Sequence, residues 1–268
     1  MDLNVRGHKA WCYTGGKPFD AAQPTVVFIH GVLNDHSVWI LQSRYFAHHG
    51  WNVLALDLPG HCRSGGEPPT SVEDGARFIL DLLDAAGVQR ATLVGHSFGS
   101  LIALEAAAQA PERIDRIAMV GTAFPMKVSP ALLDTSLNAP EKAIHMVNVF
   151  SHSMLAPPPS SLGAGTWVYG GARALMRRVL ASNPDVNVFH RGFSACDGYQ
   201  GGEAAMEKLQ CPVLFVLGRH DAMTPPRAAQ SLQAKARDGR TVLVNGGHDM
   251  MSEAPDEVLA ALKSFLKP

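Results

Sequence analysis

The alternation of short apolar runs with longer segments of helical length is the feature that most constrains how this chain folds. The apolar runs cover residues 25–30, 52–56, 91–94, 117–120, 213–217 and 241–244. Because they lack polar alternation, they are typical of strands that are buried on both faces of a parallel sheet. Segments with the length of helices lie at residues 38–49, 72–86, 98–109, 227–236 and 255–266. This order predicts a doubly wound α/β sheet, with one or two antiparallel edge strands in residues 4–12.

One long stretch interrupts this alternation. From about residue 125 to residue 206 there is no strand-like run, although residues 141–150 and 171–181 have helix-like sequences. The stretch is far too long to be a connecting loop in a compact domain, where loops above about 15 residues are uncommon. We therefore expect a core domain of residues 1–124 and 207–268, with residues 125–206 inserted as a helical cap above the sheet.

Ser97 is the strongest candidate for a nucleophile. It is the middle residue of the pentapeptide GHSFG, which connects the apolar run at 91–94 to the helix-like segment at 98–109. A glycine-flanked serine alone is often only a helix N-cap, but G-x-S-x-G between a strand and a helix is typical of a nucleophile elbow. Such a turn strains the serine backbone and leaves no room for side chains at the flanking glycines. The helix N-terminus also favours negative charge near the serine.

A serine hydroxyl needs a general base, and a histidine base needs an acidic residue that fixes its tautomer. His248 follows the last apolar run and Asp221 follows the run before it, so both are expected at carboxyl ends of strands, where ligand sites gather. The chain order Ser97, Asp221, His248 fits this arrangement. The alternatives are that His248 is a surface-loop histidine beside a competing His220, that Asp221 only closes a turn, or that Asp249 is the acid.

The first long apolar run ends in the sequence HGVLNDH, where Gly31 allows the backbone to bend close to a ligand. We expect the backbone N–H groups of Val32 and Phe98 to form the two donors of an oxyanion hole. We assign His30 to the substrate-binding region, where it holds the loop by hydrogen bonds and takes no part in the chemistry. The alternative is an ordinary strand-to-helix turn.

Together these motifs resemble the α/β-hydrolase superfamily, in particular its capped, esterase-like members. The matching segments are HG at 30–31, DLPGH at 57–61, GHSFG at 95–99, Gly218 with Asp221, Thr224-Pro225 and Gly247-His248. The resemblance covers the chain from about residue 20 onward, outside the cap. It implies an eight-stranded, mostly parallel, doubly wound sheet with a helical cap insertion.

The sequence departs from the family pattern at Cys62, where a glycine is common. If this position requires a positive φ, the cysteine carries strain of about 1 kcal/mol or more. A reactive thiol is the alternative interpretation, and a tolerated turn residue is the one we favour.

The resemblance implies covalent acyl transfer to water, because dehalogenases and epoxide hydrolases of this fold have an aspartate at the elbow in place of Ser97. We expect a serine hydrolase that cleaves small carboxylic esters with apolar groups. The apolar residues of the insertion and its surroundings are candidate pocket walls, although several would serve equally well as packing residues. The candidates are Phe124, Met126, Met146, Val149, Phe150, Met154, Leu155, Trp167, Met176, Phe193 and Met223. Of these we assign to substrate binding Phe124, Met146, Phe150, Trp167 and Met223.

Three alternatives stay open. The same triad serves thioester, lactone and carbon–carbon bond hydrolases, and it also serves cofactor-free perhydrolases. A non-catalytic ligand receptor on a hydrolase fold would keep the pocket without turnover. Arg173, Arg177, Arg178 and Arg191 suit a solvated helix face better than a carboxylate-binding site.

Composition limits the partners. The net charge of −1 provides no electrostatic footprint for nucleic acid or an anionic membrane. The four cysteines form no CxxC pair, which argues against a disulfide framework and a zinc site. No apolar leader and no run of about 18 apolar residues is present. We therefore expect a cytoplasmic monomer or homodimer with no metal or other cofactor, a small-molecule ester as substrate, and neither nucleic acid nor membrane as partner.

Overall fold

A computed structural model describes residues 1–20, 22–153 and 166–266 of the chain. Met154 and Leu155, two candidate pocket residues, lie outside this described part. No helix within it is long and apolar enough to cross a lipid bilayer.

Eight strands of the described chain form one sheet in the order β1-β2-β4-β3-β5-β6-β7-β8. Their bounds are β1 Asp2–Val5, β2 His8–Tyr13, β3 Thr25–Ile29, β4 Asn52–Leu56, β5 Ala91–His96, β6 Ile114–Val120, β7 Val213–Gly218 and β8 Gly239–Val244. Strands β1 and β2 pair antiparallel with each other, and β2 pairs antiparallel with β4, whereas all other pairs are parallel. The predicted mostly parallel sheet with antiparallel edge strands is confirmed.

Helices cover both faces of the sheet. Along β3, Val27 and Ile29 belong to one hydrophobic cluster, whereas Val26 and Phe28 belong to the cluster on the opposite face. This alternation is why the strand sequence is apolar throughout. The first cluster lies against α2 (Val72–Ala85) and α3 (Phe98–Gln109), and the second lies against α1 (Ile40–Ala47), α10 (Met250–Glu253) and α11 (Pro255–Phe265).

Four of the helices between β6 and β7 lie in the stretch expected to be the cap, and we call them the cap helices. They are α4 (Pro130–Asn138), α5 (Pro140–Ser151), α6 (Val168–Ala181) and α7 (Val188–Gly198). They share a hydrophobic cluster with Leu33, which lies in the loop after β3. The sequence predicted α5 and α6 within a few residues and did not predict α4 and α7.

Helix α8 (Gly202–Lys208) also lies within the stretch expected to be cap. Its Ala205 and Met206 belong to the main core cluster, together with Leu232 of α9 (Gln230–Lys235). Ala195 and Cys196 of α7 belong to the same cluster, so the boundary at residue 206 stays a prediction.

Candidate active site

Ser97 lies at a sharp turn between β5 and α3. Its φ of 51° and ψ of −117° lie outside the regions that non-glycine residues favour. A β-carbon on Gly95 would collide with the carbonyl of Gly99, and one on Gly99 would collide with the carbonyl of Ile29. The two glycines are therefore required sterically, and the strain at the serine is present as the motif predicted.

Asp221 and His248 come together at the carboxyl ends of β7 and β8. His248 Nδ1 lies 2.9 Å from Asp221 Oδ2, and the Asp221 side chain is fully buried. Burial raises the pKa of this carboxyl, but His248 and the hydrogen bonds from Thr224 outweigh it and lower the pKa to about 2. The aspartate is thus ionised and suited to orient the imidazole and stabilise its protonated form.

The rival residues have other partners. Asp249 Oδ2 lies 3.4 Å from His152 Nε2, so its carboxylate pairs with a histidine from the cap. His220 Nε2 lies 3.2 Å from Asn245 Oδ1 at an exposed site. The arrangement therefore favours Asp221 over Asp249 as the partner of His248.

Thr224 is a site residue whose role the sequence did not reveal. Its hydroxyl donates to Asp221 Oδ2 at 2.7 Å and lies 3.0 Å from His248 Nδ1. Its backbone N–H donates to Asp221 Oδ1, also at 2.7 Å. Thr224 thus contacts the carboxylate of Asp221 and also Nδ1 of His248, the ring nitrogen that faces this carboxylate. The signals for it in the sequence were its position three residues after Asp221 and its place in the Thr224-Pro225 segment of the family resemblance.

The Ser97 hydroxyl and His248 face the same space. Both residues line two cavities, of about 520 and 250 Å³. The hydrogen bonds of the described residues do not include one between Ser97 Oγ and His248 Nε2. A loose nucleophile–base contact is common in a ligand-free enzyme and tightens when substrate binds.

The loop after β3 approaches the nucleophile closely. A β-carbon on Gly31 would lie 2.9 Å from His96 Nδ1 and 3.2 Å from Ser97 Cβ. The backbone N–H groups of Val32 and Phe98 donate to no acceptor within the described residues. Val32 follows Gly31 directly and Phe98 begins α3, so both N–H groups are available near Ser97.

His96 connects this region to the histidine loop. Its Nε2–H donates to the backbone oxygen of His248 at 3.0 Å, and burial and the neighbouring His248 lower the pKa of its imidazole to about 3. The neutral ring of His96 therefore holds the backbone of His248 by a hydrogen bond. The sequence placed His96 in the elbow but gave no sign of this contact.

The two cavities share Ser97, Phe193, Met223 and His248 and extend in different directions. The larger one is lined by further residues that include Val32, Asn34, His152, Trp167, Met176 and Asp249. The smaller one is lined by further residues that include Met126, Val128, Leu132, Met146, Phe150 and Cys196. Four of the six residues assigned to substrate binding thus line a cavity beside Ser97, namely Met146, Phe150, Trp167 and Met223.

His30 and Phe124, the other two residues assigned to substrate binding, are not among the lining residues of either cavity. His30 is fully buried, its Nδ1–H donates to Gly31 O at 2.8 Å, and its Nε2 accepts the N–H of Leu58 at 3.0 Å. These hydrogen bonds connect the loop after β3 to the segment that follows β4. Phe124 packs against Tyr199 and would contact any side chain at Gly202.

Cys62 has a φ of 45°, so the glycine position of the family pattern does carry backbone strain here. Burial and the nearby carboxylates raise the pKa of its thiol to about 12, which argues against a reactive thiolate.

Asp35, His36 and Asp57 lie next to Cys62, with possible metal ligand atoms within 4.8 Å of one another. Hydrogen bonds from Ser37, Arg178, His36 and Arg63 already use these carboxylates, so the cluster is satisfied by the protein itself.

Comparison with known proteins is consistent with this architecture. A family model described as alpha/beta hydrolase fold matches residues 24–255. The chain belongs to the α/β-hydrolase fold family.

Two curated relatives and one solved structure illustrate the range of this α/β-hydrolase's similarities. Protein ABHD8 of Bos taurus is 27% identical over 255 residues, which cover 91% of this chain and 57% of that protein. This chain thus spans little more than half the length of that relative. Esterase YbfF of Escherichia coli (strain K12) is 23% identical and covers 99% of both chains. The esterase EaEST from Exiguobacterium antarcticum shares the fold with a TM-score of 0.83 at 14% identity, covering 99% of this chain and 98% of that one.

Proposed function

We propose that this α/β-hydrolase is a serine hydrolase that cleaves small carboxylic esters with apolar groups through Ser97, His248 and Asp221. The observation that carries this proposal is the strained elbow serine, which shares two cavities with a histidine held 2.9 Å from a buried aspartate. Similarity over nearly full length to a protein named as an esterase supports the same reaction class.

In the proposed reaction, Ser97 Oγ attacks the ester carbonyl carbon while His248 Nε2 takes the hydroxyl proton. The N–H groups of Val32 and Phe98 hold the oxyanion of the tetrahedral intermediate. When the carbon–oxygen bond breaks, His248 returns the proton to the departing alcohol. A water molecule, deprotonated by His248, then attacks the acyl-enzyme, and the acid leaves as Ser97 regains its proton.

The two cavities support an ester with a sizeable group on each side of its carbonyl. Both meet at Ser97, and the smaller is walled chiefly by apolar side chains such as Met126, Leu132, Met146 and Phe150. Apolar walls of this kind bind hydrocarbon through burial of its surface. The larger cavity adds polar groups, among them Asn34 and Asp249, to an otherwise apolar lining. Short- to medium-chain carboxylic esters suit this combination.

The experiment that tests the proposal compares kcat/KM for a panel of p-nitrophenyl acyl esters, acyl-CoAs and lactones. We expect esters of short to medium acyl chains to be the best substrates. The variant S97A should lose turnover and fluorophosphonate labelling together, and an S97A protein with full esterase activity would refute the assignment. A preference for thioesters or lactones would retain the triad and change the substrate class. A wild-type protein that binds esters without turnover would indicate a receptor.

A further inference from the structure

The end of cap helix α5 lies against the loop that carries His248. The backbone N–H of Asp249 donates to Ser151 O at 2.9 Å. On the other side of His248, a β-carbon on Gly247 would lie 2.7 Å from both Ser151 O and Ser153 N. The cap backbone thus contacts the residues on both sides of His248, and Gly247 is required for this approach.

The carboxylate of Glu253 joins these two segments. Its Oε2 accepts the N–H of Gly247 at 2.6 Å, and its Oε1 accepts the N–H and the hydroxyl of Ser153 at 2.8 and 2.7 Å. Hydrogen bonds to an ionised acceptor are stronger than those between neutral groups. One side chain of α10 thus holds three donors from two segments about 100 residues apart in sequence.

His152 provides a second link beside the first. It is buried, its Nδ1 lies 2.8 Å from Asn148 O, and its Nε2 lies 3.4 Å from Asp249 Oδ2. Burial alone would lower the pKa of this imidazole, but Asp249 outweighs burial and raises it. Residues 151–153 are therefore attached to both neighbours of His248, Gly247 through Glu253 and Asp249 through His152.

We propose that Glu253 is a positioning residue for the reaction, which fixes the main chain of Gly247, and through it the imidazole of His248, to residues 151–153 of the cap. Glu253 lines neither cavity, so it acts through the backbone and not through the substrate. The inference rests on the proposed triad. According to this inference, His248 is correctly placed as the general base only when residues 151–153 of the cap are packed against its loop.

The test compares E253A and E253Q with E257A. Glu257 Oε2 also accepts a backbone N–H of this loop, from Asn245 at 2.9 Å, and within the described part of the chain its hydrogen bonds do not reach residues 151–153, so E257A is a matched control. In E253Q the amide nitrogen replaces one acceptor oxygen and faces an N–H donor, so one link is lost while the size of the side chain is kept.

For E253A we expect kcat on the best p-nitrophenyl ester to fall about 10- to 100-fold with little change in KM, since a displacement near 1 Å of a catalytic group costs about this much. The rate of fluorophosphonate labelling of Ser97 should fall by a similar factor, and E257A should stay near wild type. If E253A does not yield folded protein, E253Q provides the same comparison.

Two results would overturn the inference. One is wild-type kcat and labelling in folded E253A or E253Q, and the other is an equal loss in E257A. These outcomes differ from failure of the proposed function, because that failure is decided by whether S97A retains turnover.

Discussion

Two of the histidine–aspartate pairs in the described residues have their aspartate in the segment that follows a strand of the parallel sheet. His248 Nδ1 is 2.9 Å from Asp221 Oδ2, and His36 Nδ1 is 2.7 Å from Asp57 Oδ1. Both aspartate side chains are fully buried. By distance and burial alone the two pairs are equivalent.

Their surroundings distinguish them. His248 lines both cavities beside Ser97, whereas His36 lies in a separate pocket with Cys62 and Arg178. Asp57 also accepts the backbone N–H groups of His36 and Arg63, so it closes a turn. Of two buried carboxylate–imidazole pairs, only the one with access to a nucleophile is suited to the proposed catalysis, and we expect the other to stabilise the fold.

The largest expected difference between the pairs is in turnover. The variant D221N should lower kcat by about 10⁴-fold, because the amide no longer holds the imidazole in the required tautomer. The variant D57N should keep a kcat of the wild-type order. Steady-state hydrolysis of a p-nitrophenyl ester measures both, and a loss in D57N equal to that in D221N would contradict the distinction.

The next difference concerns stability. Removing the charge of Asp57 leaves the N–H groups of His36 and Arg63 with a weaker acceptor, so D57N should lower the free energy of unfolding by about 1 to 3 kcal/mol. Urea denaturation measures the change. The exposed Asp238 provides the control D238N, which should stay near wild type, and an unchanged midpoint in D57N would show that the pair is dispensable.

Stability should also depend on pH through Asp221. Its pKa is lowered in the folded protein from 3.8 to about 2, so its contribution is fully present above about pH 4 and is lost as the pH falls through about 2. As the pH is lowered from about 4 to about 2, the free energy of unfolding should fall by about 2 kcal/mol more in the wild type than in D221N. Asp35, whose pKa is also lowered to about 2, continues to titrate in both proteins. Equal slopes for wild type and D221N would contradict the shift.

A smaller effect is expected at Thr224, because the described residues place no such hydroxyl between His36 and the carboxylate of Asp57. The variant T224V keeps the shape but removes the hydroxyl that contacts Asp221 and His248, and should lower kcat about tenfold with KM little changed. The variant T224S keeps the hydroxyl and should restore most of the rate. A T224S protein as slow as T224V would show that the methyl packing matters instead of the hydrogen bonds.

The smallest effect is expected at Cys62, beside the structural pair. Because its φ is 45°, glycine fits this backbone better than alanine does. We expect C62G to be about 1 kcal/mol more stable than C62A in thermal or urea unfolding. If the two variants have equal stability, the turn is not strained at this position.

The core and the cap differ in how far the sequence predicted them. The strands of the core were predictable because burial on both faces leaves continuous apolar runs, as in β3 and β7. The position of Ser97 at a tight elbow was predictable because such a turn requires glycine at residues 95 and 99. Both are local requirements, and local requirements are visible in a short window of sequence.

The parts that the sequence did not predict depend on contacts between distant segments. Within helix α4 the buried residue is Ser136, so its sequence shows no clear apolar face. Helix α7 does have an apolar face, with Val188, Phe189 and Phe193, which was not recognised from the sequence. The roles of Thr224, His96 and Glu253 follow from which loops the sheet brings together. His30 was placed near the right loop, but only the fold shows that its ring points into the interior.

The contact between His96 and the backbone of His248 joins residues 152 positions apart, and Gly31 packs against the same ring. The sequence separation of these partners means that loop closure over most of the chain precedes a competent site. During refolding from urea, we therefore expect far-UV circular dichroism to recover before Ser97 accepts a fluorophosphonate. The reactivity of Ser97 toward the fluorophosphonate would then report when the native topology is complete.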